Sequence, residues 1–149
     1  MLECVILIGL PGAGKTTFYR RHFGSHTHIS KDRWPNASGR DARQRRLLDE
    51  ALAAGQSVVV DNTHPTVVDR APIIAAARAR GAQVVGYFVD VTTRVAVARN
   101  AGRTGREKVP NVAIFTVAKR LQPPTLAEGF DQLFRVEITE DCNFHVVEV

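Results

Sequence analysis

Short apolar runs alternate with segments of helical periodicity along the whole chain. Runs rich in Val and Ile predict buried strands, and apolar residues spaced three and four apart predict amphipathic helices. This alternation predicts an α/β fold with a mostly parallel five-stranded sheet flanked by helices. The predicted strands are 3–8, 27–30, 57–61, 83–90 and 133–138, the predicted helices are 15–22, 39–54, 66–80, 92–100 and 109–121, and 144–149 is a candidate edge strand.

The turn after the first strand carries the most specific pattern in the chain. Residues 9–16 read Gly-Leu-Pro-Gly-Ala-Gly-Lys-Thr, the spacing of a phosphate-binding loop (P-loop) between a strand and a helix. Such a loop aims backbone N–H groups at an anion, while the lysine reaches the β and γ phosphates and the Thr16 hydroxyl binds Mg²⁺. The alternative is a Gly-rich turn with one exposed lysine. The expected ATP-binding residues are Gly12, Ala13, Gly14, Lys15, Thr16 and Thr17.

Two acidic residues follow predicted strands at the edge of the sheet where ligands of such folds bind. Asp32 comes just after the second strand, where its carboxylate can take a proton from an attacking hydroxyl. Asp61 ends the third strand, where it can support a Mg²⁺ ion, directly or through water, and contact the acceptor. For both residues the alternative is a helix N-cap or turn acid.

Arginines and small polar residues surround these positions in the sequence. Arg99 and Arg103 share one helical face and precede glycines, which predicts a lid over the phosphates at about 99–109. A solvated basic face explains them equally well. The expected acceptor-binding residues are Arg33, Arg40, Arg43, Asp61 and Thr63, although plain surface positions are the alternative for the arginines and a surface turn for Thr63.

Composition bounds the class of protein. With 149 residues, 44% of them hydrophobic, the chain fits a single domain at 1–149. It has no apolar run of membrane-spanning length and no leader pattern before the first strand, so a cytoplasmic protein is expected. The formal net charge of +5 favours a polyanionic partner, and no obligate protein partner is evident.

Taken together, these motifs resemble the polynucleotide 5′-hydroxyl kinase branch of the P-loop kinases. The resemblance rests on the P-loop, on Asp32, on the box 60–63 (Val-Asp-Asn-Thr), on 98–100 leading to 109–110, and on 124–130 (Pro-Thr-Leu-Ala-Glu-Gly-Phe). It implies that ATP and Mg²⁺ are used, that Asp32 activates a 5′-hydroxyl of DNA or RNA, and that Lys15, Arg99 and Arg103 assist the transfer. It also implies that 124–130 lies near the adenine, although Phe130 can instead be a core residue.

One departure from the family affects the acceptor. Many relatives carry an arginine three residues after the catalytic Asp, where this chain has Pro35. Two other functions also stay open: a kinase for a small alcohol such as a sugar acid, nucleoside or antibiotic, and a non-catalytic nucleotide-binding module.

Overall fold

The computed structural model describes residues 1–149, apart from the side chain of Arg106. Within this part of the chain, one six-stranded sheet has the order β2-β3-β1-β4-β5-β6, with helices on both faces. The strands are β1 Glu3–Ile8, β2 Thr27–Ile29, β3 Val58–Asp61, β4 Gln83–Val89, β5 Gln132–Ile138 and β6 Phe144–Glu148. The helices are α1 Lys15–His22, α2 Arg40–Ala53, α3 Val67–Ala79, α4 Thr93–Ala101 and α5 Asn111–Arg120, with 3₁₀ turns at Lys31–Arg33, Gly105–Glu107 and Leu126–Glu128.

Strand β1 lies in the middle of the sheet, parallel to β3 on one side and β4 on the other. Its side chains alternate between two apolar cores: Cys4, Ile6 and Ile8 pack on one face, and Val5 and Leu7 on the other. Because both faces of this strand are covered, neither set of its side chains contacts water, which explains its continuous apolar sequence. The P-loop therefore starts from a central strand whose last five residues are all buried.

The predicted α/β P-loop fold is confirmed, with one correction to the sheet. The five predicted strands run parallel to one another, and the candidate edge segment forms β6, which pairs antiparallel with β5. The sheet thus has six strands rather than five. None of the helices in the described part of the chain is long and apolar enough to cross a membrane.

The helix ends follow local capping chemistry. Helix α3 begins at Val67 because the Thr66 side chain accepts a hydrogen bond from the backbone N–H of Asp69, while the Asp69 carboxylate accepts one from the Thr66 N–H. At α4, Thr92 caps the N–H of Val95 in the same manner. These caps fix where the loops of the site end and the helices begin.

Candidate active site

The P-loop has a backbone shape that only glycine fits at its key positions. Gly12 has φ +82° and Gly14 has φ +101°, both in the left-handed region. A Cβ atom at Gly12 would lie 2.8 Å from the carbonyl oxygen of Ala96, and one at Gly14 would lie 3.1 Å from the Arg99 guanidinium. The glycines thus let helix α4 approach the loop closely.

Lys15 is buried at the start of α1, with its amine inside the loop. Its Nζ atom donates to the carbonyl oxygens of Gly9 at 3.1 Å and Leu10 at 2.8 Å. Burial lowers the pKa of Lys15 to about 8, an effect that the carboxylates of Asp61 and Asp32 oppose and the charge of Arg103 reinforces. The predicted catalytic lysine, acids and lid arginine therefore share one electrostatic environment.

Asp61 is the centre of a hydrogen-bonded chain of side chains. Its Oδ2 atom accepts from the Thr16 hydroxyl at 2.8 Å and from His28 Nε2 at 2.8 Å. On the other side of the imidazole, Arg33 donates to His28 Nδ1 at 2.7 Å, and the Tyr19 ring stacks on it at 4.2 Å between centroids. Burial raises the pKa of Asp61, but the His28 hydrogen bond, the Lys15 charge and the Thr16 hydrogen bond outweigh it and hold the pKa below its usual value.

Asp32 lies in the 3₁₀ turn after β2, exposed at the edge of the cleft. The side chain of Ser30 caps this turn by accepting from the Asp32 N–H at 3.2 Å. Asn62, next to Asp61, accepts from the Lys31 N–H at 2.9 Å and donates to Gln44 at 2.7 Å. Asn62 thus joins the turn that carries the expected base to the loop that follows the second acid.

His64 completes the support of this loop from inside the core. Its Nδ1 lies 2.6 Å from the carbonyl oxygen of Leu7, so Nδ1 carries the proton, and Nε2 lies 3.4 Å from the Asn62 amide. Burial lowers the pKa of His64 to about 4, which keeps the ring neutral at physiological pH. His64 is a buried residue, since only 4% of it is exposed.

Asn100 holds together the two ends of the segment that the sequence predicts to be a lid. The buried Asn100 side chain donates to the carbonyl oxygen of Val109 at 2.6 Å and accepts from the Val109 N–H at 3.0 Å. Arg99 donates to the carbonyl oxygen of Gly12 at 3.1 Å, and Arg103 donates to that of Glu107 at 3.1 Å. Arg99 therefore contacts the P-loop, whereas Arg103 is held within its own segment and lines the same cleft. The side chain of Arg106 lies outside the described part of the chain.

A single cleft of about 1300 Å³ brings together most of the residues that the sequence singles out. One wall carries the P-loop and the lid arginines, and the other carries the 3₁₀ turn after β2, the start of α2 and the loop after β3. Members of the predicted set that line it are Gly12, Lys15, Thr16, Thr17, Asp32, Arg33, Arg40, Asp61, Thr63, Arg99 and Arg103.

Two expected positions lie elsewhere. Arg43 does not line the main cleft, because its guanidinium stacks 4.3 Å over the Trp34 ring, beside a smaller cavity of about 430 Å³. Phe130 lies in the core under Gly86, and Glu128 of the same segment pairs with the fully buried Arg70, Oε1 to Nε at 2.8 Å. Segment 124–130 supports the sheet rather than lining the cleft, which favours the core alternative for Phe130.

The sequence does not predict that His28 contacts Asp61, or that Asn62 and Asn100 hold neighbouring loops together. His28 has neither ligand spacing nor a motif, and it enters the site only because β2 pairs with β3. Predicting the role of His28 requires the register between β2 and β3. In that register His28 lies beside Val59, two residues before Asp61.

A comparison with protein families identifies the class to which this arrangement belongs. A family model described as an AAA domain matches residues 4–124. The chain belongs to this AAA domain family. The match spans the P-loop, both acids and the lid, so the family covers the whole of the cleft described above.

Individual relatives agree with this family. The bifunctional polynucleotide phosphatase/kinase of Schizosaccharomyces pombe is 27% identical over 139 residues, which cover 90% of this chain and 33% of that protein. The chain spans about a third of the length of the curated relatives it matches. The resemblance to polynucleotide kinase domains is thus confirmed.

Solved structures match the fold. A fungal RNA kinase has a TM-score of 0.66 at 18% identity, over 91% of this chain and 38% of that one. A gluconokinase from Sinorhizobium meliloti 1021 has a TM-score of 0.67 at 18% identity, over 93% of this chain and 83% of that one. Both likenesses support the predicted P-loop fold.

Proposed function

We propose that this domain transfers the γ-phosphate of ATP to the 5′-hydroxyl end of DNA or RNA. The observation that carries the proposal is the single cleft that holds the P-loop and the lid arginines on one wall and Asp32 with Arg33 and Arg40 on the other. The name of the Schizosaccharomyces pombe relative supports a polynucleotide as the acceptor. Repair of nucleic acid ends in the cytoplasm is the setting we propose for this activity.

The phosphate side of the cleft fits ATP and Mg²⁺. The left-handed Gly12 and Gly14 place no Cβ atoms at these positions of the loop, and the amine of Lys15 is held where it can turn from the loop carbonyls to a phosphate. The Thr16 hydroxyl and the Asp61 carboxylate lie together and supply the oxygen ligands that Mg²⁺ prefers. When bound, Mg²⁺ neutralises charge on the β and γ phosphates.

The transfer follows from the placement of Asp32. The 5′-hydroxyl oxygen attacks the γ-phosphorus in line, a new O–P bond forms, and the bond to the β-phosphate oxygen breaks to release ADP. Asp32 accepts the proton that the hydroxyl loses. Lys15, Arg99 and Arg103 stabilise the negative charge that spreads over the transferring group.

The acceptor side supports a polyanion, but with fewer arginines than the sequence predicted. Arg33 and Arg40 line the cleft near Asp32, and Thr63 lies on the loop after β3. Arg43 is left out of the proposal because it stacks on Trp34 instead.

A small alcohol is the second candidate acceptor, and one observation favours it. Pro35 lines the cleft at the position where the resemblance leads one to expect an arginine for the acceptor's phosphate. Salt dependence separates the two acceptors. Affinity for an oligonucleotide falls steeply with ionic strength when several phosphates are bound, whereas affinity for a neutral alcohol changes little.

The proposal is tested by incubating the protein with γ-labelled ATP, Mg²⁺ and a panel of 5′-hydroxyl DNA, 5′-hydroxyl RNA and small alcohols. We expect label on the polynucleotides only. We also expect Asp32→Asn to lower the rate by about 10²- to 10⁴-fold with ATP binding intact. The matched control is Asp49→Asn, which removes a carboxylate that pairs with Arg45 on α2.

Three results would contradict the proposal. Label on small alcohols alone would select the second candidate. Tight ATP binding without transfer to any acceptor would indicate a regulatory nucleotide-binding module. A near wild-type rate for Asp32→Asn would remove the proposed base.

A further inference from the structure

His28 lies between the two halves of the cleft and contacts both. Its Nε2 atom is 2.8 Å from Asp61 on the phosphate side, and its Nδ1 atom is 2.7 Å from the Arg33 guanidinium on the acceptor side. The imidazole is 11% exposed and the Asp61 side chain 4% exposed, so these contacts compete little with water. The Tyr19 ring, stacked at an interplanar angle of 23°, restricts rotation of the imidazole.

The neighbours of His28 fix which nitrogen carries the proton. A guanidinium has donors only, so Nδ1 must accept from Arg33. The remaining proton is then on Nε2, which donates to the Asp61 carboxylate. One neutral ring thus satisfies an acceptor and a donor at once, and a flip of the ring would break both contacts.

Each contact has a consequence for a different substrate. Asp61 receives its hydrogen bonds from Thr16 and His28 on the same oxygen, Oδ2, which fixes the plane of the carboxylate and leaves Oδ1 free of both. Arg33 is exposed, and a long exposed arginine without a partner samples many rotamers. Docking on His28 holds its guanidinium at the acceptor side of the cleft.

We propose that His28 is a positioning residue that orients Asp61 for Mg²⁺·ATP and Arg33 for an acceptor phosphate. The second half of this proposal rests on the proposed function, whereas the first half requires only that ATP binds with Mg²⁺. The two halves can be separated because each contact uses a different ring nitrogen.

Two amide substitutions test the two contacts one at a time. In His28→Gln the side-chain amide reaches the place of Nε2, so the donor to Asp61 is kept and the acceptor for Arg33 is lost. In His28→Asn the amide oxygen occupies the place of Nδ1, so the acceptor for Arg33 is kept and the contact with Asp61 is lost. The matched controls are His26→Gln and His26→Asn, because His26 makes a 2.8 Å contact to Glu3 at similar exposure outside the cleft.

Two binding measurements and one kinetic measurement give the readouts. Calorimetry measures ATP affinity with Mg²⁺ and with a chelator, and anisotropy measures affinity for a labelled 5′-hydroxyl oligonucleotide. For His28→Asn we expect the Mg²⁺-dependent gain in ATP affinity to fall about tenfold, the effect of one hydrogen bond to a charged group. For His28→Gln we expect the affinity for the oligonucleotide to fall about tenfold. The KM for the oligonucleotide should rise, while kcat stays the same.

The outcomes distinguish the inference from the proposed function. Equal profiles for the two His28 variants, or profiles that match the His26 controls, would overturn the positioning role. If the wild-type protein phosphorylates small alcohols only, the proposed function and the Arg33 half fail together. The ATP measurement then still decides the Asp61 half.

Discussion

The hydroxyl of Thr16 donates a 2.8 Å hydrogen bond to the carboxylate of Asp61, although the two residues are 45 positions apart. The parallel pairing of β1 and β3 makes this contact possible, because Asp61 lies in register with Leu7 at the same end of the sheet. The carboxylate also draws a hydrogen bond from His28, so its orientation depends on three elements of the fold.

Replacement of Thr16 by Ala should weaken the use of Mg²⁺·ATP. The variant loses the hydroxyl and leaves Asp61 with one hydrogen bond fewer, so we expect kcat/KM for ATP to fall by at least about tenfold. Steady-state kinetics at several Mg²⁺ concentrations check this. Thr116→Ala is the control, since the Thr116 hydroxyl bonds to the Val112 carbonyl on the exposed face of α5. Equal rates for the two variants would contradict the proposed role of Thr16.

Replacement of Gly12 by Ala should be far more damaging than replacement of Gly105 by Ala. Both glycines have positive φ, +82° and +61°, so both variants carry about 1 kcal/mol of backbone strain. Only at Gly12 does the new Cβ meet a carbonyl, that of Ala96 at 2.8 Å, while the space around Gly105 is open. We expect Gly12→Ala to displace α4 from the loop and to abolish ATP binding. Calorimetry with ATP and a thermal melt of each variant measure the difference, and similar losses would show that strain alone matters.

Replacement of Asn100 by Ala should loosen the lid. The variant leaves both backbone groups of Val109 without their partner, which costs about 1–3 kcal/mol of stability where the groups stay buried. We expect faster proteolysis within 101–108 and a higher KM for ATP, because Arg99 and Arg103 lose their fixed starting position. Urea unfolding and limited proteolysis check these effects, and an unchanged cleavage pattern would argue against the clamp.

Acid should destabilise the protein through His64. The pKa of His64 is lowered from 6.5 to about 4, so between these values the unfolded chain binds a proton that the folded protein does not. Stability from this group is therefore complete above pH 6.5 and is lost as the pH falls toward 4, at up to about 1.4 kcal/mol per pH unit. The first proton would add at Nε2 and turn a donor toward the Asn62 amide, itself a donor.

Urea unfolding between pH 7 and 4.5 measures this loss, and an NMR titration follows the His64 ring directly. A His64 that titrates near 6.5 in the folded protein would contradict the prediction. His26, bonded to Glu3 near the surface, provides a second imidazole signal in the same spectrum.

Most strands and helices could be predicted from local sequence patterns, whereas features that depend on distant residues could not. The apolar run 4–8 and the P-loop after it are visible because one strand, one turn and one helix are contiguous in the chain. The predicted helices at 66 and 92 start one residue early, at the N-cap residues Thr66 and Thr92. The place of β2 at the sheet edge could not be predicted, because strand order is decided by long-range packing.

The same limit explains which site residues were found. Asp32 and Asp61 stand at strand ends, where the general rule for open sheets points to them. His28 depends on the β2–β3 register, and Arg43 is drawn from the cleft by the ring of Trp34, a contact that charge patterning does not reveal. The contact between Glu128 and the buried Arg70 is not visible in the sequence, because the two residues lie 58 positions apart.

The two sides of the cleft are attached to strands of different stability: the P-loop side to the central β1 and the Asp32 side to the edge strand β2. The P-loop grows from β1, which is bonded on both edges and buried, whereas Asp32 follows β2, a three-residue strand at the outer edge with one neighbour. Backbone amides of 5–8 should exchange with deuterium only when the whole protein unfolds, and those of 27–29 through local opening. Under the proposed function, the acceptor side can therefore change shape while the nucleotide side stays fixed. Substitutions that change the acceptor would then destabilise the fold least near β2.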